Sequence, residues 1–292
     1  MLLRRYPDSL WLLILSFCSS VFGGSSIHVH HYPHTVSCSM LVVFGDGLSD
    51  DGAEISTEES HGFLRNSNGP VWPEYLKQLL GCDKYINYAY SGARSDLNNF
   101  YFENWSGIQW QIDQFLSRRG RSPSKDAIIV LQTGGLIDLF SGESNSSSII
   151  ANLKATLNEL AASRSIGEAT LVLMNLPDLS SAPGLRFAED GAQIRENFGV
   201  SIAQINMQIR SIALDFSRLK DPKSNLNIRL FDLNTALFRA TAPLNTTEPF
   251  SYQKPETKAK DLNRYAYHDL WHPTTAVHFE IAKDIVTFLE DA

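Results

Sequence analysis

The sequence is short of cysteine, lacks a basic excess, and has no apolar run long enough to cross a bilayer. Lys and Arg number 25 against 32 Asp and Glu, for a net charge of −7. That sign opposes nucleic acid as a partner and leaves no basic patch for docking on a membrane. The longest apolar run, residues 10–17 (LWLLILSF), falls well short of the roughly 20 residues that a spanning helix needs. No Pro/Gly/Ser-rich linker, internal repeat or low-complexity block divides the chain, so one domain with one core is expected.

What is present at the N-terminus reads as a secretion signal. Arg4 and Arg5 precede the apolar run, and the small residues after it place cleavage behind Gly23. Residues 1–23 are therefore expected to be a signal peptide, 24–39 an N-terminal tail and 40–292 the single domain. Losing Arg4, Arg5 and Asp8 with the signal makes the charge −8. His28, His30, His31 and His34 crowd the tail, where no fixed geometry is expected to hold a metal. Three Asn-x-Ser/Thr sequons, at Asn104, Asn145 and Asn245, lie in polar stretches and are candidate glycosylation sites. Of the three cysteines, Cys18 leaves with the signal. Cys38 and Cys82 remain, each just ahead of a predicted strand. In an oxidising compartment they form either one disulfide or two separate buried thiols.

Short apolar, often β-branched runs predict strands at 40–44, 85–89, 127–131, 169–174 and 227–231. Helical patterns lie between them at 73–80, 108–116, 149–162 and about 193–219, with a last one at 275–289. Gly81 suits a helix C-cap, and Ser147 or Ser148 the N-cap of the third helix. Alternation of this kind predicts the α/β class: a three-layer α/β/α sandwich with a five-stranded parallel sheet. Ligands of such sheets bind beyond the carboxyl ends of the strands.

Four blocks fall at those places. They are Phe44-Gly45-Asp46-Gly47-Leu48-Ser49-Asp50, Ser91-Gly92-Ala93-Arg94, Gly135-Leu136-Ile137-Asp138 and Asp269-Leu270-Trp271-His272-Pro273. In wording and order they resemble the GDSL, or SGNH, family of ester hydrolases. The resemblance implies a flavodoxin-like fold, a small-molecule ester, lipid or acylated carbohydrate as ligand, and no cofactor or metal. It assigns Asp269 and His272 as acid and base. It also assigns the N–H groups of Gly47 and Gly92 as oxyanion donors. Two family side chains are substituted: Gly47 stands at the nucleophilic serine position, and Ile137 at the position of the oxyanion asparagine.

A triad needs a nucleophile, a base and a group that orients the base. With Gly47 in place, Ser49, Ser91 or a water activated by His272 would have to supply the oxygen. Asp46, Arg94 and Trp271 are further candidates for contact with a ligand. The leading expectation is a secreted, catalytically impaired member that still binds an ester-like ligand. The alternatives are an active carboxylic-ester hydrolase using the Asp269–His272 dyad with water or an atypical nucleophile, and a secreted interaction protein built on the fold.

Overall fold

The computed structural model describes residues 36–52, 64–117, 125–143, 145–163, 166–186, 191–218, 226–260 and 263–291. Residues 1–23, expected as a signal peptide, and the histidine-rich part of the tail lie outside the described residues. Five parallel strands, β1 (Met40–Phe44), β2 (Lys84–Asn87), β3 (Ala127–Gln132), β4 (Ala169–Met174) and β5 (Leu226–Phe231), form one sheet in the order β2-β1-β3-β4-β5. β1 and β3 are interior strands and are buried at every residue. That burial explains why they read as unbroken apolar runs rather than as alternating ones.

The helices are α1 (Trp72–Leu80), α2 (Ile108–Ser117), α3 (Gly135–Phe140), α4 (Ser146–Ala162), α5 (Pro183–Arg186), α6 (Gly191–Arg218), α7 (Leu233–Thr241), α8 (Pro255–Lys260) and α9 (Thr275–Glu290). α9 packs on α1 and α7, while α4 packs on both α2 and α6, with α2 against β1 and α6 against β5. Two helical layers thus enclose the sheet, as the alternation predicts.

Local chemistry sets the boundaries. Gly81 closes α1 at φ 64°, with its N–H directed at the carbonyls of Gln78 and Lys77. The left-handed turn costs a glycine little. At the other end of α1, Glu74 accepts the Val71 N–H at 2.8 Å. α4 corrects the expected cap. It starts at Ser146, and the cap is Asn145, whose Oδ1 accepts the Ser147 N–H at 3.0 Å. Helix α7 was not anticipated, although its buried Leu233, Ala236, Leu237 and Ala240 follow helical spacing behind the N-cap Asp232.

Cys38 and Cys82 form a disulfide with a Cα separation of 4.7 Å. The parallel register explains the pairing. Met40 stands opposite Lys84, and the same offset places Cys38 opposite Cys82.

His278, on α9, is fully buried and neither ring nitrogen has a hydrogen-bond partner among the described residues. Burial, with the nearby charges of His272, His268 and Arg65, pushes its pKa down to about 3. The unfolded chain then binds a proton that the folded one refuses, so stability rises with pH from about 3 to 6.5. Between pH 7 and 5 this residue should cost about 2 kcal/mol of unfolding free energy. Urea titrations of the protein and of His278→Leu at both pH values check this. The variant should lose most of that pH dependence.

Candidate functional site

The site forms where β1 and β3 end and β2 runs into its loop. β1 leads into a tight turn in which Ser49 and Asp50 donate their N–H groups to the Asp46 carbonyl at 2.9 and 3.0 Å. Two glutamines fix this turn from below. Gln111 of α2 accepts the Gly45 N–H at 3.0 Å and donates to its carbonyl at 2.9 Å. Gln132 of β3 donates to Asp46 Oδ1 at 2.6 Å. A Cβ on Gly45 would come within 2.7 Å of Gln132 Oε1, so this close approach requires glycine.

Asp50 ties the turn to the second block. One carboxylate oxygen accepts the Ser91 N–H at 2.6 Å and the Leu64 N–H at 2.9 Å, while the other accepts Gly52 N–H at 2.9 Å. Ser91 is held from its other side by Asn99 Nδ2, which donates to its carbonyl at 2.8 Å. Gly92 follows at φ 82°, where an L side chain would be strained. Asp138 is buried and accepts the Ser95 N–H at 2.7 Å and Arg94 Nε at 3.2 Å, joining the third block to the second. Asp50, Gln111, Gln132, Asn99 and Asp138 were not singled out from the sequence as positioning residues. Their partners lie far along the chain, and single polar residues carry no spacing signal.

His272 and Asp269 sit in the loop before α9. Asp269 Oδ1 accepts the N–H groups of Trp271 and His272 at 2.8 and 2.7 Å. Both of its oxygens lie at 2.9–3.0 Å from His272 Nδ1. The two side chains remain 27% and 32% exposed, so solvent reaches the pair. Burial opposes charge on the imidazole, but the Asp269 carboxylate outweighs it and raises the pKa of His272 above its ordinary value. Burial raises Asp269 as well, and His272 outweighs that to bring the carboxyl down to about 2. With Nδ1 committed to Asp269, Nε2 is the nitrogen left to take a proton.

Nε2 points at position 47. A Cβ built on Gly47 would lie 2.9 Å from His272 Nε2, 3.0 Å from Ser91 Oγ and 3.3 Å from Asn66 Nδ2. The structure thus brings the Asp269–His272 pair and Ser91 together over Gly47, with Gly92 next to Ser91 along the chain. The N–H groups of Gly47 and Gly92 donate to no acceptor among the described residues, as oxyanion donors should. Ile137 lies in the first turn of α3, half-buried, and its side chain has no donor to offer.

The other candidates have structural partners. Asp46 is buried, and its Oδ1 accepts the Leu48 N–H at 3.0 Å in addition to Gln132. Burial raises its pKa, and Oδ2 has no hydrogen-bond partner among the described residues. Arg94 directs its charge to Asp138. Trp271 packs on Gly184 and on the Phe140 ring, 5.0 Å away between centroids. Ser49 Oγ is buried, donates to Gln132 Oε1 at 2.6 Å and accepts Trp72 Nε1–H at 3.1 Å. That hydroxyl is committed to holding the turn. Of the sequons, Asn104 and Asn145 are exposed and Asn245 is half-buried. Among the described residues, no three His, Cys, Asp or Glu side chains are grouped to hold a metal, and no helix is long and apolar enough to cross a membrane.

The thermolabile hemolysin of Vibrio parahaemolyticus is 26% identical over 278 residues, which cover 84% of this chain and 62% of the hemolysin. The chain thus spans less than two thirds of that relative's length. Among solved structures, the inhibitor-bound aryl esterase of M. smegmatis matches with a TM-score of 0.50 at 14% identity, covering 87% of this chain and 99% of the esterase. A GDSL-like lipase structure from Parabacteroides merdae matches with a TM-score of 0.51 at 13% identity, covering 87% and 98%. At those identities the structures show a shared fold. The GDSL-like lipase/acylhydrolase family model matches residues 41–285, nearly all of the predicted domain, and the chain belongs to that family.

Proposed function

We propose that this protein is a secreted, ester-binding member of the family whose hydrolytic turnover is impaired. The observation that carries this reading is the direction of His272 Nε2, an oriented base facing a glycine. The base, its carboxylate and two backbone donors persist, while the hydroxyl at 47 and the amide at 137 are absent. One missing oxyanion donor costs about 3–4 kcal/mol of transition-state stabilisation. A missing nucleophile costs far more.

The ligand is an ester of a lipid or an acylated carbohydrate. An aromatic loop supports this. The Phe100 N–H donates to the Gly92 carbonyl at 2.7 Å, and Tyr101 and Phe102 next to it are 45% and 49% exposed. Such rings offer a flat apolar surface to an acyl chain or a sugar face beside the oxyanion site.

Turnover of a short-chain aryl ester by the purified protein tests the reading. A weak rate is expected, rising with pH through the raised pKa of His272, because only the neutral imidazole accepts a proton. His272→Ala should lower it about a hundredfold or more. A rate that ignores this substitution would place the chemistry elsewhere. Secretion is supported by the charged–apolar–small pattern at the N-terminus. Sequencing the secreted protein should begin at Gly24, and an intact Met1 would refute cleavage.

A further inference from the structure

The space over Gly47 brings a second hydroxyl within reach of the base. Ser91 Oγ lies 3.0 Å, and His272 Nε2 2.9 Å, from the same point, the position that a Cβ on residue 47 would occupy. The two atoms are therefore less than about 6 Å apart, with no side chain of residue 47 between them. They do not form a hydrogen bond in this structure. Catalytic contacts of this kind often close only when substrate binds.

Among the described residues, the hydrogen bonds leave Ser91 a proton without an acceptor. Its Oγ accepts Asn66 Nδ2–H at 2.8 Å, and its own O–H has no acceptor among the described residues. His272 Nε2 likewise has no donor among them. One group holds an uncommitted proton, the other an uncommitted lone pair, and both face one gap. The backbone of Ser91 is fixed on both sides, by Asp50 Oδ2 on its N–H and Asn99 Nδ2 on its carbonyl, so its hydroxyl can turn without the loop moving. The next residue is Gly92, whose N–H has no acceptor among the described residues.

We propose that Ser91 is the nucleophile of this site and His272 its base, with Gly47 keeping the path between them open. The proposal rests on the reading of the protein as an impaired ester hydrolase and names the route of its residual turnover. Ser91 Oγ attacks the ester carbonyl carbon while its proton passes to His272 Nε2. The tetrahedral oxyanion receives hydrogen bonds from the backbone N–H groups. Its collapse breaks the bond to the alcohol, which leaves with the proton from His272, and Ser91 carries the acyl group. Water then attacks the acyl carbon and gives its proton to His272. The acid departs, and Ser91 recovers its proton. Asn66 is a positioning residue in this scheme. Its amide donates to Oγ and steadies the negative charge that builds there as the proton leaves.

A fluorophosphonate probe with peptide mapping tests the proposal on the unmodified protein, alongside turnover of p-nitrophenyl acetate. The expected adduct is a single one on Ser91. It should disappear in Ser91→Ala, and turnover of that variant should drop about a hundredfold or more while its melting temperature holds. Gly47→Ala should also suppress both signals, because its methyl stands between nucleophile and base. Labelling of the unmodified protein decides the matter even if a variant fails to fold. An adduct on another residue, or none at all, overturns the proposal. Turnover that needs His272 but survives Ser91→Ala without labelling overturns it in favour of a base-activated water, and leaves the reading as an ester hydrolase intact. Turnover indifferent to His272→Ala overturns both.

Discussion

Gly47→Ser combined with Ile137→Asn should raise aryl-ester turnover more than the two single changes together. The backbone permits the serine, since Gly47 is not among the glycines at positive φ. Its Cβ would stand 2.9 Å from His272 Nε2 and 3.0 Å from Ser91 Oγ. Both are ends of side chains, so a shift of a few tenths of an ångström accommodates it. Gly47→Ser alone should therefore move the phosphonate adduct to residue 47 with a limited gain in rate. The oxyanion formed there would still lack the side-chain donor that the family pattern places at 137. Ile137→Asn alone should change little, because that amide serves attack from position 47. Together the two should exceed Gly47→Ser by about 10²–10³-fold, the worth of one oxyanion donor. Nucleophile and donors act on a single transition state, so their effects multiply beyond the singles. Adding His272→Ala should erase the gain. A folded double mutant with no gain would show that the cleft no longer matches the geometry its blocks imply.

Loss of the Cys38–Cys82 bridge should be the largest single effect on stability. The bond closes a loop with a sequence separation of 44. In the chain-entropy treatment, opening a loop of that length costs about 4 kcal/mol through the freedom returned to the unfolded chain. That is a large share of the 5–15 kcal/mol by which a domain of ordinary stability is folded. Both cysteines are buried at the amino ends of the neighbouring strands β1 and β2, so the bridge also holds the sheet edge that leads to Ser91 and Gly92. Denaturant melts of the protein and of Cys38→Ala/Cys82→Ala, compared in oxidising buffer, measure the difference. Equal midpoints would rule out a stabilising role for the bridge.

Much of the fold was legible in the sequence. The β1, β3 and β4 runs are almost wholly apolar because both faces of the sheet are covered, and such runs need no tertiary information to be read. The C-cap at Gly81 and the last helix from Thr275 were legible for the same kind of reason, a local conformational rule. The start of α4 was missed by one turn because three consecutive serines after Asn145 offer competing caps. α7 was missed although its apolar spacing was present. The short helices α3, α5 and α8, of four to six residues, span less than two turns, too few for a period to show.

The site divides in the same way. The sequence by itself determined the class of the fold, the four blocks, the Asp-x-x-His dyad, and the absence of a side chain at 47 and of an amide at 137. Each is a property of residue type or of spacing along a few neighbours. The tertiary structure decided which hydroxyl, among the described residues, keeps a proton with no acceptor. Ser49 and Ser91 are equally plausible as letters, but only packing shows that Ser49 is bound by Gln132 and Trp72 while Ser91 faces His272. It also decided that Arg94 is committed to Asp138 and that Asn66 reaches the gap over Gly47. The reason is physical. A hydrogen bond is satisfied by whatever the fold brings near, from 25 residues away for Asn66 and Ser91 or 83 for Ser49 and Gln132, and no local pattern records which partner that is.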